Sequence, residues 1–252
     1  MSSAAAYTFA VVCEASADFL LASVLADRVL CQQVEWIDPA SLDLYRHWRG
    51  LEESASHLEW HWVGKLSRQL NIRAHGHFQN EPGALDATMA RKALLLLARA
   101  PEPPDAVILV RDTDGREGRR RGLNQARDAS PWPFVVILAI AHTKRECWVL
   151  AGFDPRSAGE ETALAELRRE LGFDPRFQAE GLTAAEPQAL RNAKRVLERL
   201  LAGNPDREED CWTASDLETL RQRGGSTGLS DYLDEIRGRL VPLFTDGRPE
   251  SP

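Results

Sequence analysis

The sequence predicts an α/β fold, with a mostly parallel sheet flanked by helices and a helical C-terminal part. Over residues 1–155, apolar β-rich segments alternate with segments of helical periodicity, which is the pattern of an α/β domain with a parallel sheet. The β-rich segments are apolar on both faces, as expected for strands buried inside such a sheet. Residues 156–245 contain amphipathic helical segments joined by Gly, Pro and Asp turns, which predicts a helical C-terminal extension.

The elements of the α/β part follow in chain order. The segment YTFAVVC at 7–13 predicts the first strand, and the periodicity of 17–33 predicts the first helix. The segment VEWID at 34–38 predicts a second short strand, which Pro39 ends. The later elements are a helix at 83–100, a strand at 105–110, a helix at 115–129, a strand at 133–141 and a helix that starts at 145.

Three further segments complete the organisation. Residues 41–80 are polar and rich in aromatic side chains, and we interpret them as an insertion with some helix in the α/β domain. The amphipathic helices of the C-terminal extension are predicted at 161–173, 186–202, 214–223 and 229–244. Residues 246–252 have the composition of a disordered tail.

Composition and charge argue against several classes of protein. The net charge of −7 is not that of a polybasic nucleic-acid binder, so contact with a polyanion needs a local basic patch or bound cations. The four cysteines form no CxxC pair, which argues against a zinc site or a disulfide framework and favours reduced thiols in the cytoplasm. The N-terminal segment lacks the basic residues of a signal peptide, and no apolar segment approaches the ~20 residues of a membrane span. We therefore expect no membrane partner.

Acidic side chains follow two of the predicted strands. Glu14 comes directly after the first strand, Asp18 follows four residues later, and Asp112 and Asp114 come after the strand that starts at 105. Ligands of open α/β sheets collect at the carboxyl ends of the strands. Residues i and i+2 on extended backbone point the same way, so we expect both aspartates to face one point. Converging carboxylates repel one another unless a cation lies between them, and hard oxygen ligands suit Mg²⁺ or Mn²⁺.

These two motifs resemble the Toprim domain, which topoisomerases, primases and overcoming-lysogenization-defect (OLD) nucleases share. The segment VVCEASAD is similar to the family's E-G-x-x-D motif, with Glu14 and Asp18 at the acidic positions and Ala15 where the glycine usually stands. The segment VILVRDTDG is similar to the family's D-x-D motif, with Asp112 and Asp114. The resemblance implies a Toprim-like sheet. The interval between the motifs is long for the family, and we assign the excess to the predicted insertion.

A later segment extends the resemblance to small stand-alone Toprim-like bacterial proteins. In AIAHTKRECWVLAGFD, Glu146 precedes Trp148 just after a predicted strand, as a glutamate precedes a tryptophan in those proteins. ELGFDP and DYLDEIRGRLVPLF look like their helical tail. The resemblance implies a metal site formed by Glu14, Asp18, Asp112, Asp114 and Glu146.

Basic side chains surround the predicted acidic site. Lys144 and Arg145 follow the last strand at the same predicted sheet edge, where either can stabilise a developing phosphorane charge or simply lie on the surface. Four arginines after the D-x-D motif are expected to bind flanking phosphates; the alternative is a solvated helix face. These arginines are Arg116, Arg119, Arg120 and Arg121.

Histidines and tryptophans of the predicted insertion have two interpretations each. His57 and His61 are spaced i and i+4, but the segment is not H-E-x-x-H and has no clear third ligand, so packing or surface roles are favoured over zinc. Trp60 and Trp62 fill a small core in one interpretation and stack on bases in the other.

The resemblance predicts a Mg²⁺- or Mn²⁺-dependent phosphodiester hydrolase acting on nucleic acid, DNA rather than RNA. Its catalytic residues would be Glu14, Asp112, Asp114, Glu146 and Lys144. The chain has no G-x-x-x-x-G-K-[ST] motif, so an ATPase partner in a phage-defence system would be a separate subunit. The alternative is a non-catalytic Toprim-fold module that binds nucleic acid or protein. A haloacid-dehalogenase-like phosphatase is less favoured, because that family puts its D-x-D on the first strand.

Overall fold

The computed structural model describes residues 6–52 and 54–245, and its α/β architecture confirms the predicted fold class. The tail predicted at 246–252 lies outside the described residues. The strands are β1 (Tyr7–Cys13), β2 (Arg46–Arg49), β3 (Leu58–Glu59), β4 (His77–Phe78), β5 (Glu81–Pro82), β6 (Ala106–Asp112) and β7 (Val135–Ala141). The helices are α1 (Ser16–Gln33), α2 (Trp60–Gln69), α3 (Ala87–Ala98), α4 (Glu117–Arg127), α5 (Arg145–Ala151), α6 (Ala158–Leu171), α7 (Ala193–Leu201), α8 (Pro205–Thr213), α9 (Leu217–Arg223), α10 (Leu229–Glu235) and α11 (Pro242–Thr245).

The main sheet has the strand order β2-β1-β6-β7, and β3 pairs with β1 beyond the end of β2. Strand β1 is parallel to all three of its partners, β2, β3 and β6. Every residue from Phe9 to Cys13 is fully buried, which explains why this segment is apolar on both faces. Strands β4 and β5 form a separate antiparallel pair.

Contacts divide the chain into two compact units. The first contains the described residues of Met1–Arg111, Arg116–Ala139 and Asp234–Pro252. The second contains Asp112–Gly115 and Ile140–Leu233. These divisions differ from the domain boundary expected near residue 155, which stays a prediction.

The strand predicted at 34–38 is wrong. Val34 ends α1 by donating its N–H to Leu30 O at 2.9 Å, and Ile37 N–H donates back to Val34 O at 3.0 Å in a turn. The Asp38 side chain accepts the Ala40 N–H and starts a short 3₁₀ helix, which proline at its first position favours. The chain reaches the sheet only afterwards, at β2.

Residues 41–80, which we expected to be an insertion with some helix, contain α2 and also contribute strands to the sheet. Both β2 and β3 pair with β1. Gly50 follows β2, and a Cβ there would lie 2.5 Å from His57 O, so only glycine allows the loop to close between the two strands. The Gly50 N–H donates to Ala55 O within this loop.

Residues 156–245 are mainly helical and contain no strand among those that the structure describes, as predicted. Helix α8 was not predicted, although Asn204 and Pro205 carry its start signal: the Asn204 side chain accepts the N–H groups of Asp206 and Arg207. In the core of the second unit, buried Trp148 donates its indole N–H to Thr227 O at 2.8 Å. None of the helices in the described part of the chain has the length and apolar character that a bilayer crossing requires.

Candidate functional site

The turn after β1 carries the first acidic motif. The Asp18 carboxylate accepts the N–H groups of Glu14 and Ala15, at 3.2 and 3.1 Å. Asp18 therefore satisfies backbone donors at the start of α1, which is a structural reason for the spacing of the two acids. Ala15 has φ −150°, an extended conformation that any residue adopts, so this turn does not need the glycine of the Toprim motif.

Glu14 belongs to an ion-pair network in the first unit. Val12 lies opposite Leu109 in the sheet, so Glu14, directly after β1, is level with Arg111 on β6. Arg111 Nη1 donates to Glu14 Oε1, and Arg111 Nε donates to Asp86 Oδ2 at 2.9 Å. The Arg111 and Asp86 side chains are only 16% and 20% exposed, whereas that of Glu14 is 51% exposed. Glu14 is therefore the solvent-accessible carboxylate of the network.

A second arginine balances the charge of this network. Arg119 Nε on α4 lies 3.4 Å from the same Asp86 oxygen that Arg111 contacts. Two carboxylates and two guanidinium groups are thus in one network, which is electrically neutral. The Arg111 guanidinium also lies 5.6 Å from the ring centre of Trp60, within cation–π range. Each carboxylate of the network therefore lies beside at least one guanidinium group.

Asp86 is held in an uncommon backbone conformation. Its φ is 66°, in the left-handed region, and its side chain does not cap α3 although it precedes that helix. Such a conformation costs of order 1–3 kcal/mol and persists where neighbouring structure holds it. Gly122 of α4 lies directly against the Leu85 peptide, because a Cβ at Gly122 would be 1.9 Å from Leu85 O. The close approach of α4 therefore positions Asp86.

A cavity of about 430 Å³ opens beside the network, within the size range of small-molecule pockets. Its lining residues are Glu14, Trp60, His61, Asp86, Met89 and Arg111. The lining combines carboxylates, a guanidinium group and an aromatic ring. Trp60 is itself fixed, because its indole N–H donates to Val110 O at 2.8 Å.

The second acidic motif forms a loop in the second unit. Asp112 Oδ1 accepts the Arg145 N–H at 2.9 Å, in the first turn of α5. The backbone is not extended through Asp114: its φ is 47°, and that of Gly115 is 71°. The extended backbone that we assumed for both aspartates therefore ends before Asp114, and the expectation that their side chains face one point stays a prediction. The Asp114 N–H donates to Thr143 O at 2.9 Å and fixes this turn.

Lys144 and Glu146 lie at the start of α5. Lys144 precedes the helix in extended conformation, and Glu146 is in its first turn. Glu146 lines a cavity of about 260 Å³ together with Lys194 and Glu208 of the C-terminal helices. The Arg145 side chain forms an ion pair with Glu208 at 2.8 Å. The metal ligation predicted for Glu146 stays a prediction.

Three of the four arginines predicted to bind phosphates are paired with carboxylates. Besides the contact of Arg119 with Asp86, Arg121 pairs with Glu81 at 2.6 Å and Arg120 lies 3.8 Å from Glu117. Arg116 is exposed before the start of α4. A phosphate bound by this cluster would compete with these carboxylates.

The histidine pair does not have the helical geometry that its spacing suggested. His57 precedes β3 and stacks on the Phe19 ring at 5.5 Å, whereas His61 lies on α2 at 3.0 Å from Glu59. Among the residues that the structure describes, no three His, Cys, Asp or Glu side chains group so as to hold a metal ion.

The cysteines are free thiols. Burial raises the pKa of Cys147 to about 11 and that of Cys211 to about 12. Both thiols are therefore protonated at neutral pH, and neither is suited to act as a nucleophile or a metal ligand there.

No family model, curated protein or solved structure matches this chain. The resemblance to the Toprim domain therefore rests on the motif residues alone. Sequence analysis missed Arg111 as the partner of Glu14, and it missed Asp86 as the second carboxylate that Arg111 contacts. Asp86 shows only the ordinary signal of an acid before a helix, and Arg111 only that of a polar residue near a strand end.

Proposed function

We propose that this protein is a Mg²⁺- or Mn²⁺-dependent phosphodiester hydrolase of the Toprim type that acts on nucleic acid, DNA rather than RNA. One observation carries the proposal: acids follow the carboxyl ends of two neighbouring parallel strands. Glu14 comes directly after β1, and Asp112 is the last residue of β6. In open α/β sheets this is the end at which ligands bind.

The proposal assigns a role to each acidic residue. Glu14, Asp112 and Asp114 would hold the cations, since carboxylate oxygens are the ligands that Mg²⁺ and Mn²⁺ prefer, and Glu146 would supplement them. A bound cation would supply an activated water and stabilise the leaving oxygen. Asp18 fixes the backbone of Glu14 through its two hydrogen bonds and supports the site in that way.

The basic residues hold or balance charge in the proposed reaction. Arg111 donates to the Glu14 carboxylate and holds its orientation. Lys144 would face the charge that develops on the phosphorane. The free thiols support a reducing compartment, the cytoplasm. Any ATPase partner, as in a phage-defence system, would be a separate subunit, because the chain has no P-loop motif.

The test is cleavage of labelled single- and double-stranded DNA and RNA with Mg²⁺ or Mn²⁺ by wild type and Asp112→Asn. The asparagine keeps an oxygen that accepts the Arg145 N–H, so the fold is retained while the charge is removed. We expect activity to fall by orders of magnitude, since the remaining acids could not hold the ion. Asp128→Asn makes the same chemical change at an exposed acid and is the matched control. Equal cleavage by wild type and Asp112→Asn would refute the assignment.

A second candidate, a non-catalytic module that binds nucleic acid or protein, is favoured by the arginine partner of Glu14. Arg111 and Arg119 already lie beside Glu14 and Asp86, so these two carboxylates have positive partners that do not depend on a cation. The two candidates differ in metal binding. A ligand that binds the native state raises the melting temperature by mass action, so the hydrolase predicts stabilisation by Mn²⁺ and the module predicts none.

A further inference from the structure

We propose that the exposed face of α2, formed by Trp62, Lys65 and Arg68 and called the α2 face below, binds single-stranded nucleic acid. The inference deepens the proposed function, and it rests on that function only for the claim that the bound strand is cleaved. Binding itself requires neither metal nor cleavage, so the two can be tested apart.

The charge of the surrounding segment supports this proposal. Between Trp60 and Asn80 the sequence has three Lys or Arg residues and no Asp or Glu, in a chain whose net charge is −7. The basic residues are Lys65, Arg68 and Arg73, and all three are exposed. A local basic segment on an acidic protein is the feature that attracts a polyanion.

The two faces of α2 have different roles. Trp60, Val63 and Ser67, spaced i, i+3 and i+7, are buried. Lys65 and Arg68 lie on the opposite face in solvent. Helix α2 packs on α3, so its buried face is used by the fold and its basic face remains available.

The cations of the α2 face differ from the arginines after the D-x-D motif. Neither Lys65 nor Arg68 forms an ion pair with a carboxylate among the residues that the structure describes. Arg119 and Arg121, in contrast, contact Asp86 and Glu81. A phosphate on the α2 face therefore replaces water and counterions without breaking an ion pair, which is the favourable case for polyanion binding.

Trp62 favours single-stranded over double-stranded nucleic acid as the ligand of the α2 face. Its side chain is an exposed aromatic, 41% accessible, and Lys65 Nζ lies 4.6 Å from the ring centre. An aromatic ring beside a cation binds unpaired bases by stacking and the adjacent phosphate by charge, whereas bases of a duplex are already stacked. Trp62 also lines a cavity of about 330 Å³ with Glu52 and Glu59, whose charges repel phosphate. The stacked base would therefore lie on the side of Trp62 that borders this cavity, and the phosphates would lie on the side of Lys65.

The first two residues of α2 belong to the candidate site, and the α2 face follows them in the sequence. Helix α2 starts at Trp60, and both Trp60 and His61 line the cavity that contains Glu14. The α2 face therefore starts at the residue that follows His61, and Trp62 itself lines the separate cavity with Glu52 and Glu59.

The experiment measures fluorescence anisotropy of a labelled oligothymidylate of about 20 nucleotides, and of a duplex of equal length, in EDTA at several salt concentrations. For Lys65→Gln/Arg68→Gln we expect weaker single-strand binding and a salt slope reduced by about 1.4, since each phosphate contact contributes about 0.7. For Trp62→Ala we expect about 5-fold weaker binding with an unchanged slope, because a base stack and no charge is lost. Wild type should prefer the single strand.

The matched control is Arg169→Gln/Lys194→Gln, which removes two exposed cations from α6 and α7. It should bind as wild type does. Wild-type binding by the α2 variants overturns the proposal, and so does a wild type that binds neither probe. The proposal is also overturned if Arg120→Gln/Arg121→Gln loses binding while the α2 variants bind normally. Nucleic-acid binding would then be assigned to the arginines that follow the D-x-D motif. Thermal unfolding of each variant shows whether the fold is intact.

The experiments distinguish a wrong binding surface from a wrong proposed function. If wild type cleaves with Mg²⁺ or Mn²⁺ while the α2 variants bind normally, the surface proposal is wrong and the hydrolase stands. If binding depends on the α2 face but no divalent cation supports cleavage, the surface stands and the hydrolase is wrong.

Discussion

Gly122→Ala tests whether α4 positions the loop that carries Asp86. A Cβ at Gly122 would lie 1.9 Å from Leu85 O and 2.8 Å from Ala87 N. These are backbone atoms, so no side-chain rotation relieves the contact. Non-bonded heavy atoms are comfortable at about 3.5–4.0 Å, so α4 or the loop must shift by more than 1 Å.

The expected loss of stability follows from two opposing effects. Overpacking costs about 1–3 kcal/mol, and a clash with backbone belongs at the upper end of that range. Alanine in place of glycine inside a helix recovers about 1 kcal/mol. We therefore expect Gly122→Ala to lower the free energy of unfolding by about 2 kcal/mol, measured by urea denaturation. The displaced loop should also weaken whatever binding depends on the cavity beside Glu14.

Gly118→Ala on the same helix is the matched control. Its Cβ would be no closer than 3.4 Å to any atom, which is ordinary contact with the Leu85 side chain. This variant should be as stable as wild type or more so, because it gains helix propensity without a clash. If Gly122→Ala is as stable as Gly118→Ala, the tight approach of α4 to Leu85 is refuted, and so is the account of how Asp86 is held.

Three further results are expected. Asp18→Ala should lower the free energy of unfolding by about 1 kcal/mol in urea denaturation, because the Glu14 and Ala15 N–H groups lose their acceptor. Asp18→Asn should be closer to wild type in stability, because the asparagine keeps an oxygen that can accept these hydrogen bonds. The pKa of Cys147 is raised in the folded state, so the unfolded chain loses its thiol proton first; stability should fall as pH rises from about 9 to about 11, and this fall should shrink in Cys147→Ala. With a thiol reagent at pH 8, native protein should react at Cys31, the one cysteine that is not buried, and the other three should react only after denaturation.

Sequence patterns alone were sufficient for most elements of the fold. The continuous apolar segments at 7–13, 105–110 and 133–141 correspond to β1, β6 and β7. A strand that is buried on both faces carries mostly apolar side chains along its length, so such strands can be recognised in the sequence. Helical periodicity likewise predicted α1, α3 and α4. These signals are local: each depends on residues within a few positions of one another. The motif acids at the ends of β1 and β6 could be found in the same way.

The tertiary structure decided which segment becomes the second strand and which partners the acids take. Residues 34–38 have strand-like composition, but the Asp38 side chain caps the 3₁₀ helix that follows, and the segment that pairs with β1 is β2. Arg111 lies 97 residues from Glu14 and 25 from Asp86 along the chain. No periodicity links residues so far apart, because their contact depends on strand register and on the approach of α4 at Gly122. A sequence shows which side chains are charged, but the partner that balances each charge is set by packing.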